Sequence, residues 1–176
     1  MKIAVDQVTE SPKDIRFLEN LEELNRLYAE EGMRDFRFPP FLEVNLVYYR
    51  SGREIFFSGW FGAALDGSCA RCLEYYSFLV ERNFDFVLTP DPLPGKAREL
   101  NRDEMGLSFY TSKEIDLSPL IREQLLLALP TRPLCDEGCR GLCAGCGVNL
   151  NDGPCLCASP ADDPRMAFFR ALRLGR

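Results

Sequence analysis

A β-hairpin is predicted by residues 53–88, which read REIFFSGWFGAALDGSCARCLEYYSFLVERNFDFVL. Both halves are rich in aromatic and β-branched residues with period-two alternation, and such residues favour extended strands. The preceding residues 41–50 have the same pattern and are separated from the hairpin by Ser51-Gly52. The sequence therefore predicts three antiparallel strands in a meander, with Cys69 and Cys72 at its second turn.

The segment before the meander carries helical signals. Residues 1–10 indicate a short strand, and residues 11–31 predict a helix because leucines recur at three-residue spacing, at Leu18, Leu21, Leu24 and Leu27. Ser11, Pro12 and Asp14 resemble a helix N-terminus.

After the meander, residues 91–106 combine Pro, Gly and charges without apolar rhythm, which predicts a mobile loop. A short strand and then a helix over 118–129 follow. Ser118 is the expected N-cap and Pro119 lies in the first turn, while Pro130 ends the helix.

Composition excludes several classes of function. The chain has 176 residues, no histidine and a formal charge of -6. The absence of histidine removes His-based catalysis and His-containing metal sites, and the acidic balance argues against a general polyanion binder. The sequence has no secretory signal pattern at its start and no stretch of membrane-spanning length, so we expect a cytoplasmic protein with no membrane partner.

The eight cysteines form four short pairs. In a reducing compartment such pairs indicate metal binding or catalysis rather than disulfides. Two pairs make one tetrahedral site, and Gly147 after one pair suits the positive φ of a metal-binding turn. Two zinc sites are predicted, and the smallest loops favour one site formed by Cys143, Cys146, Cys155 and Cys157 and another formed by Cys69, Cys72, Cys135 and Cys139. The sequence leaves the exact pairing of cysteines into sites open.

Other interpretations of the cysteines remain open. They include unligated core cysteines, dithiol redox chemistry at Cys69 and Cys72, and an iron–sulfur cluster held by four thiolates. Zinc is favoured. Four thiolates leave no open coordination position, so both sites are interpreted as structural. Neighbouring Arg71, Arg132 and Arg140 either offset thiolate charge or are solvated surface residues.

Two further groups are candidates for binding. A basic stretch near the C-terminus is the best candidate contact for RNA or an acidic partner, and its arginines are Arg165, Arg170, Arg173 and Arg176. Strand aromatics could stack bases but are more often core residues; they are Phe56, Phe57, Trp60, Phe61, Tyr75, Tyr76, Phe84 and Phe86. No P-loop, dinucleotide or nucleophile-elbow motif is present in the sequence.

Together these signals predict an α+β protein. It would contain an antiparallel β-meander or partly open barrel, a few helices and a C-terminal Cys-rich zinc-binding segment. The predicted organisation is an α+β domain at 1–134 with the Cys69–Cys72 hairpin, the zinc-binding segment at 135–160, and a basic amphipathic helix at 161–176.

Four blocks of the chain resemble the signature blocks of the YceD family, the large ribosomal RNA subunit accumulation proteins. They are CARCLE at 69–74, IDLSPLIREQLLLALPTRPLC at 115–135, CRGLCAGCGVNLNDGPCLC at 139–157 and DPRMAFFRALRL at 163–174. The resemblance runs from about residue 42 to 174.

The resemblance implies a bacterial ribosome-biogenesis factor that supports the synthesis, processing or stability of 23S ribosomal RNA. The expected partner is the large-subunit precursor or 23S RNA, reached directly or through another protein, and no enzymatic activity is implied. The alternatives are a cytoplasmic thiol redox or metal-handling protein and, from a third class, an enzyme that processes RNA, for which the sequence offers no catalytic constellation.

Overall fold

The computed structural model describes residues 1–32, 35–90 and 108–157. The loop predicted at 91–106 and the helix predicted at 161–176, with its four arginines, lie outside the described residues. The strands are Lys2–Ala4 (β1), Lys13–Asn20 (β2), Phe36–Arg37 (β3), Phe41–Ser51 (β4), Glu54–Ser68 (β5), Tyr75–Pro90 (β6), Ser108–Tyr110 (β7) and Glu114–Asp116 (β8). The helices are Glu22–Glu30 (α1) and Ser118–Ala128 (α2).

The larger of two sheets contains the predicted meander. Its strand order is β2-β4-β5-β6-β7, with β3 paired to one end of β5, and β1 and β8 form a separate two-stranded sheet. Strand β4 runs antiparallel to β2 and β5, whereas β7 runs parallel to β6. The prediction of three consecutive strands is confirmed, and the sheet is open rather than a closed barrel across the described strands.

The helix predicted over 11–31 is wrong in its first half. Residues 13–20 form β2, which pairs with β4 from Lys13 opposite Tyr48 to Asn20 opposite Phe41. Burial there alternates with period two, and Leu18, counted in the leucine series, is exposed. Backbone pairing along all of β2 outweighs the leucine spacing, and the helix begins only at Glu22, whose N–H donates to Asn20 Oδ1 at 2.8 Å.

Helix α2 lies where the sequence predicts it, with Pro119 in its first turn and Leu129 as the C-cap before Pro130. The expected role of Ser118 as N-cap is wrong, because Leu117 occupies that position. The Ser118 hydroxyl instead donates to Glu19 at 2.9 Å, and Arg122 binds the same buried carboxylate at 3.1 Å. This network satisfies the buried polar side chain of Glu19.

The chain divides into two compact units. The first comprises Met1–Gly67 and Ser77–Thr131, and the second comprises Ser68–Tyr76 and the described residues from Arg132 onward. The turn between β5 and β6 therefore groups with the cysteine-rich segment, whereas the sequence-based boundaries place it in the first domain. Neither α1 nor α2 in the described ranges is long and apolar enough to cross a membrane.

The core of the first unit is formed by alternate residues of the sheet together with α1 and α2. Of the candidate base-stacking aromatics, Phe57, Phe61 and Phe84 are buried here. The Phe57 ring stacks on that of Phe86 at a centroid distance of 4.7 Å. Only Trp60 and Tyr75 of the eight are more than two-fifths exposed. Four of the eight, Phe57, Phe61, Phe84 and Phe86, thus pack in or against this core.

Gly59 provides a test of this core. A Cβ atom at this position would meet the Phe84 ring at 2.4 Å and the Asn45 carbonyl oxygen at 2.9 Å. We expect Gly59→Ala to lower the free energy of unfolding by about 1–3 kcal/mol, because the ring and a paired strand must both shift. The neighbouring exposed Ser58→Ala is the matched control in denaturant titrations. Equal unfolding midpoints for the two variants would contradict the packing described.

Candidate metal centre

Four cysteines from two distant segments converge in the second unit. Cys69 and Cys72 come from the turn between β5 and β6, and Cys135 and Cys139 follow α2. Their Sγ atoms all lie within 4.8 Å of one another, with 3.8 Å between Cys69 and Cys139 and 3.7 Å between Cys72 and Cys135. Sulfur ligands about 2.3 Å from a tetrahedral ion are about 3.8 Å apart, so this first tetrathiolate site has the spacing for one metal ion.

A second tetrathiolate site is formed by the remaining cysteines, Cys143, Cys146, Cys155 and Cys157. Their Sγ atoms also lie within 4.8 Å of one another, and those of Cys146 and Cys155 are 3.3 Å apart. Gly145 packs against this site, since a Cβ there would meet Cys157 Sγ at 3.5 Å. The structure thus brings the eight cysteines into the same two sets of four that the spacing predicts.

The first Cys-x2-Cys turn is built by backbone hydrogen bonds. The Arg71 N–H donates to Cys69 Sγ at 3.4 Å, and the Leu73 N–H donates to the Cys69 carbonyl at 2.9 Å. Leu73 adopts φ 62°, which is the left-handed region. Such a turn points both sulfur atoms to one side, as a shared metal ion requires.

The second Cys-x2-Cys turn repeats this geometry. The Gly145 N–H donates to Cys143 Sγ at 3.4 Å, and the Gly147 N–H donates to the Cys143 carbonyl at 2.8 Å. Gly147 has φ 75°, so the predicted positive φ after this pair is confirmed. The two turns differ in that Leu73 occupies the position that Gly147 fills without a Cβ.

Arg71 holds the first site together. Its guanidinium donates to the carbonyl oxygens of Glu137 and Cys139, each at 2.9 Å, and its own carbonyl accepts the Leu142 N–H at 3.1 Å. Close by, the Ala70 N–H donates to the Pro133 carbonyl at 2.8 Å. Arg71 is therefore a cross-link between the cysteine segments, while Arg132 and Arg140 have exposed side chains.

Asn151 connects the two sites, and it is not among the site residues predicted from the sequence. It lies between Cys146 and Cys155, ligands of the second site, yet its Nδ2 donates to Cys139 Sγ of the first site at 3.3 Å. Its Oδ1 accepts the Arg140 N–H at 2.8 Å. The signal in the sequence is the turn-forming Asn149-Leu150-Asn151-Asp152, where Asn149 Oδ1 in turn accepts from Asn151.

The surroundings split the thiol pKa values in the first site. Burial opposes ionisation of Cys69, but backbone N–H groups nearby lower its pKa to about 6. The Asn151 amide lowers the pKa of Cys139. Burial raises the pKa of Cys72, and burial together with hydrogen bonds from the other thiols raises that of Cys135 to about 12.

The second site shows the same division. The N–H groups of Gly145 and Cys146 lower the pKa of Cys143 to about 6, and hydrogen bonds with Cys155 and Cys146 raise that of Cys157 to about 12. Metal binding requires thiolates, so a divalent ion must displace the protons of the thiols with raised pKa values. Binding at both sites is therefore favoured by rising pH and weakened by falling pH.

The two sites differ in solvent access. Cys69, Cys72 and Cys139 of the first site are buried beside Tyr76, Leu134 and Leu142. In the second site no cysteine is buried, and Cys146 and Cys157 are exposed. Cys135, the fourth cysteine of the first site, is exposed, so a metal ion there would be reached by competing ligands from one side only, whereas one in the second site would be more accessible.

The fold and the paired sites define a class of protein, an α+β protein with two clustered tetrathiolate sites. The family model of the large ribosomal RNA subunit accumulation protein YceD matches residues 57–173, a span that contains all eight cysteines. The chain therefore belongs to the YceD family.

Named relatives are similar over part of their length. A chloroplastic YCED homolog 1 of Arabidopsis thaliana, named as a large ribosomal RNA subunit accumulation protein, is 26% identical across 78% of this chain and 50% of its own. The Zea mays homolog is 30% identical, covering 51% of this chain and 39% of its own. An uncharacterized protein of Mycobacterium tuberculosis is 31% identical over a match that covers 64% of this chain and 53% of its own length.

The chain thus spans about half or less of the length of these curated relatives. No solved structure matches it.

The two Cys-x2-Cys turns yield a paired prediction. Gly147→Ala should weaken metal binding at the second site by about 5- to 30-fold, because a Cβ in the left-handed region costs roughly 1–2 kcal/mol. No atom lies within 4 Å of the added Cβ, so the loss would be conformational rather than a clash. Leu73→Gly should leave the first site as strong or slightly stronger, since the Leu73 side chain is 63% exposed.

Competition with a chromophoric chelator measures these affinities. Gly153→Ala is the control, because its Cβ also meets nothing within 4 Å and its φ is not positive. A Gly147→Ala variant that binds metal as tightly as Gly153→Ala would contradict the role of the turn.

The difference in burial predicts the order of metal loss. Excess chelator should remove one ion quickly, from the second site, and the other slowly. Cys155→Ser should abolish the fast phase and Cys72→Ser the slow one, as followed by stopped-flow absorbance of the chelator complex. Release of both ions in a single phase would contradict this order of metal loss. Loss of the slow phase in Cys155→Ser and of the fast phase in Cys72→Ser would also contradict it.

Proposed function

We propose that the protein is a non-enzymatic ribosome-biogenesis factor, acting in the cytoplasm, that supports the synthesis, processing or stability of 23S ribosomal RNA. The observation that carries the proposal is the match to the YceD family model over residues 57–173. The names of the Arabidopsis and maize relatives, which refer to accumulation of large ribosomal RNA, point in the same direction.

The proposed metal at both sites is zinc. Four-thiolate sets with sulfur spacings near 3.8 Å suit its tetrahedral preference, and zinc needs no redox partner. An iron–sulfur cluster held by the same thiolates is the less favoured alternative. Elemental analysis of purified protein tests the choice: two zinc ions per chain support it, and iron with a visible chromophore overturns it.

A role in binding rather than catalysis is supported by the chemistry of these sites. Four thiolates complete the coordination of each ion and leave no position for an activated water molecule. The chain has no histidine to act as a general base near neutral pH. The metal ions would accordingly stabilise the second unit, whose short, Gly- and Asn-rich segments contain little apolar core of their own.

Thiol redox chemistry or metal handling is the second candidate function. Exposure of Cys146 and Cys157, with the pKa of Cys143 lowered to about 6, favours it. Against it, the Cys69–Cys72 turn joins two strands instead of preceding a helix whose dipole would activate a thiol. Thiol-reactive reagents applied to the metal-loaded protein separate the two: slow labelling favours the structural role, whereas rapid, reversible oxidation without metal loss favours redox function.

The proposed function predicts co-sedimentation with large-subunit precursor particles. In sucrose gradients of cell lysates, the tagged protein should migrate with these particles and show only weak affinity for isolated RNA, since its net charge of -6 opposes phosphate. Replacing Arg165, Arg170, Arg173 and Arg176 with Gln should weaken the association if the basic tail contacts the particle. A protein that stays at the top of the gradient and binds naked RNA tightly at high salt would refute the proposal.

A further inference from the structure

The sheet of the first unit has a face that does not contribute to the core. Side chains alternate along β2, β4, β5 and β6, so one set packs inward and the other forms what we call the open face. The strand register places residues of this face side by side. Arg16 of β2 lies opposite Asn45 of β4, which lies opposite Trp60 of β5, and Leu18 lies opposite Glu43. The large apolar side chains exposed on it are Leu18 (64%), Phe41 (50%), Trp60 (41%) and Leu79 (76%).

The open face is acidic. At the outward positions of β2, β4, β5 and β6 that the structure describes, Arg16 is the one cation among the carboxylates, and its Nε is 3.4 Å from Glu43. At one end of the sheet, a second cation, Arg37 of β3, lies opposite Asp66 in the strand register. The remaining carboxylates have no ion pair with a cation of the described residues; they are Asp14, Glu54, Glu81 and Asp85.

Trp60 lies near the centre of this face against a glycine. A Cβ at Gly62 would meet the indole ring at 3.0 and 3.1 Å and the Glu81 side chain at 3.6 Å, so the ring lies across Gly62 beside a carboxylate. Next to the ring is a shallow depression of about 310 Å³, whose lining includes Asp14, Asn45, Ser58 and Asn83. An aromatic face with nearby carboxylates attracts a Lys or Arg side chain, through the ring quadrupole and through charge.

We propose that the open face docks a Lys- and Arg-rich polypeptide segment of another protein. Apolar side chains supply contact area, Trp60 and its neighbouring carboxylates receive a cation, and the surplus negative charge attracts the rest of the segment. This inference rests on the proposed function as a binding factor and adds the class of partner.

The negative charge of the open face favours a cationic polypeptide segment over RNA as its ligand. A sheet that stacks unpaired bases on its aromatics also needs cations for the phosphates. Here Trp60 lies beside the Glu81 side chain and lines a depression together with Asp14, and the Arg16 Nε is 3.4 Å from Glu43 and donates to Asn45 Oδ1 at 2.8 Å. Phosphate would be repelled where a cationic peptide is attracted.

The chain contains a built-in probe for the test. Trp60 is its only tryptophan, so its fluorescence reports on the open face. The ligand is a short synthetic peptide in which Lys and Arg alternate with Leu, without aromatic residues. We expect it to change Trp60 emission saturably, with affinity that falls as salt is added. A peptide with Glu at the cationic positions and a single-stranded RNA oligonucleotide serve as comparisons, and both should leave the emission unchanged.

A charge-matched pair of variants makes the test specific. Asp14→Asn/Glu81→Gln/Asp85→Asn should weaken peptide binding about tenfold, because each exposed pair contributes a modest, roughly additive amount. The control Asp6→Asn/Glu10→Gln/Glu31→Gln removes three exposed carboxylates elsewhere and should change affinity little. Circular dichroism checks that both variants fold, and the Glu peptide tests charge selection on the wild-type protein alone.

The proposal is overturned if both triple variants weaken binding equally, if the Glu peptide binds as well, or if neither peptide alters Trp60 emission. Saturable quenching by the RNA oligonucleotide would instead assign the open face to RNA and also overturn it. These results are independent of particle association: co-sedimentation without peptide binding would leave the proposed function standing and remove only this partner class.

Discussion

Convergence of four thiolates from segments 63 to 70 residues apart is the constraint on which the second unit depends. Sulfur atoms at 3.7–3.8 Å cannot all ionise without a cation, and the split pKa values of Cys69 and Cys135 express that conflict. A divalent ion bound there would resolve it and would close a long loop, where a cross-link restricts the unfolded chain most. The family match, which spans all eight cysteines, therefore covers the part of the chain in which the proposed metal ions would add to a small apolar cluster.

The two tetrathiolate sites are not independent. Asn151 lies within the loop that the second site closes and binds Cys139 of the first, while Arg71 ties the first turn to residues 137–142. A second site that keeps its loop ordered thus also keeps the hydrogen bond from Asn151 to Cys139 of the first site in place. The first unit has a different physical basis, an apolar core beneath an open sheet, with its acidic outer face left for association.

Sequence patterns predicted those elements in which local and tertiary preferences agree. The meander around residues 69–72 and helix α2 satisfy both, because β-branched and aromatic strands meet a short turn and Pro119 begins a helix. Residues 13–20 were mispredicted since leucine spacing competes with strand pairing that only β4 supplies. Ser118 was misassigned because its hydroxyl is taken by Glu19, 99 residues away in sequence.

For the candidate site, the sequence by itself determined the donor chemistry, because it offers thiols and no histidine, and it favoured by the smallest loops the grouping of cysteines that the structure has. Tertiary structure alone decided which site is more buried, that Asn151 joins the two, and that Trp60 faces outward beside Glu81 while Phe57 and Phe61 face inward. Burial and hydrogen bonding of this kind depend on residues distant in the chain, and no local pattern encodes them.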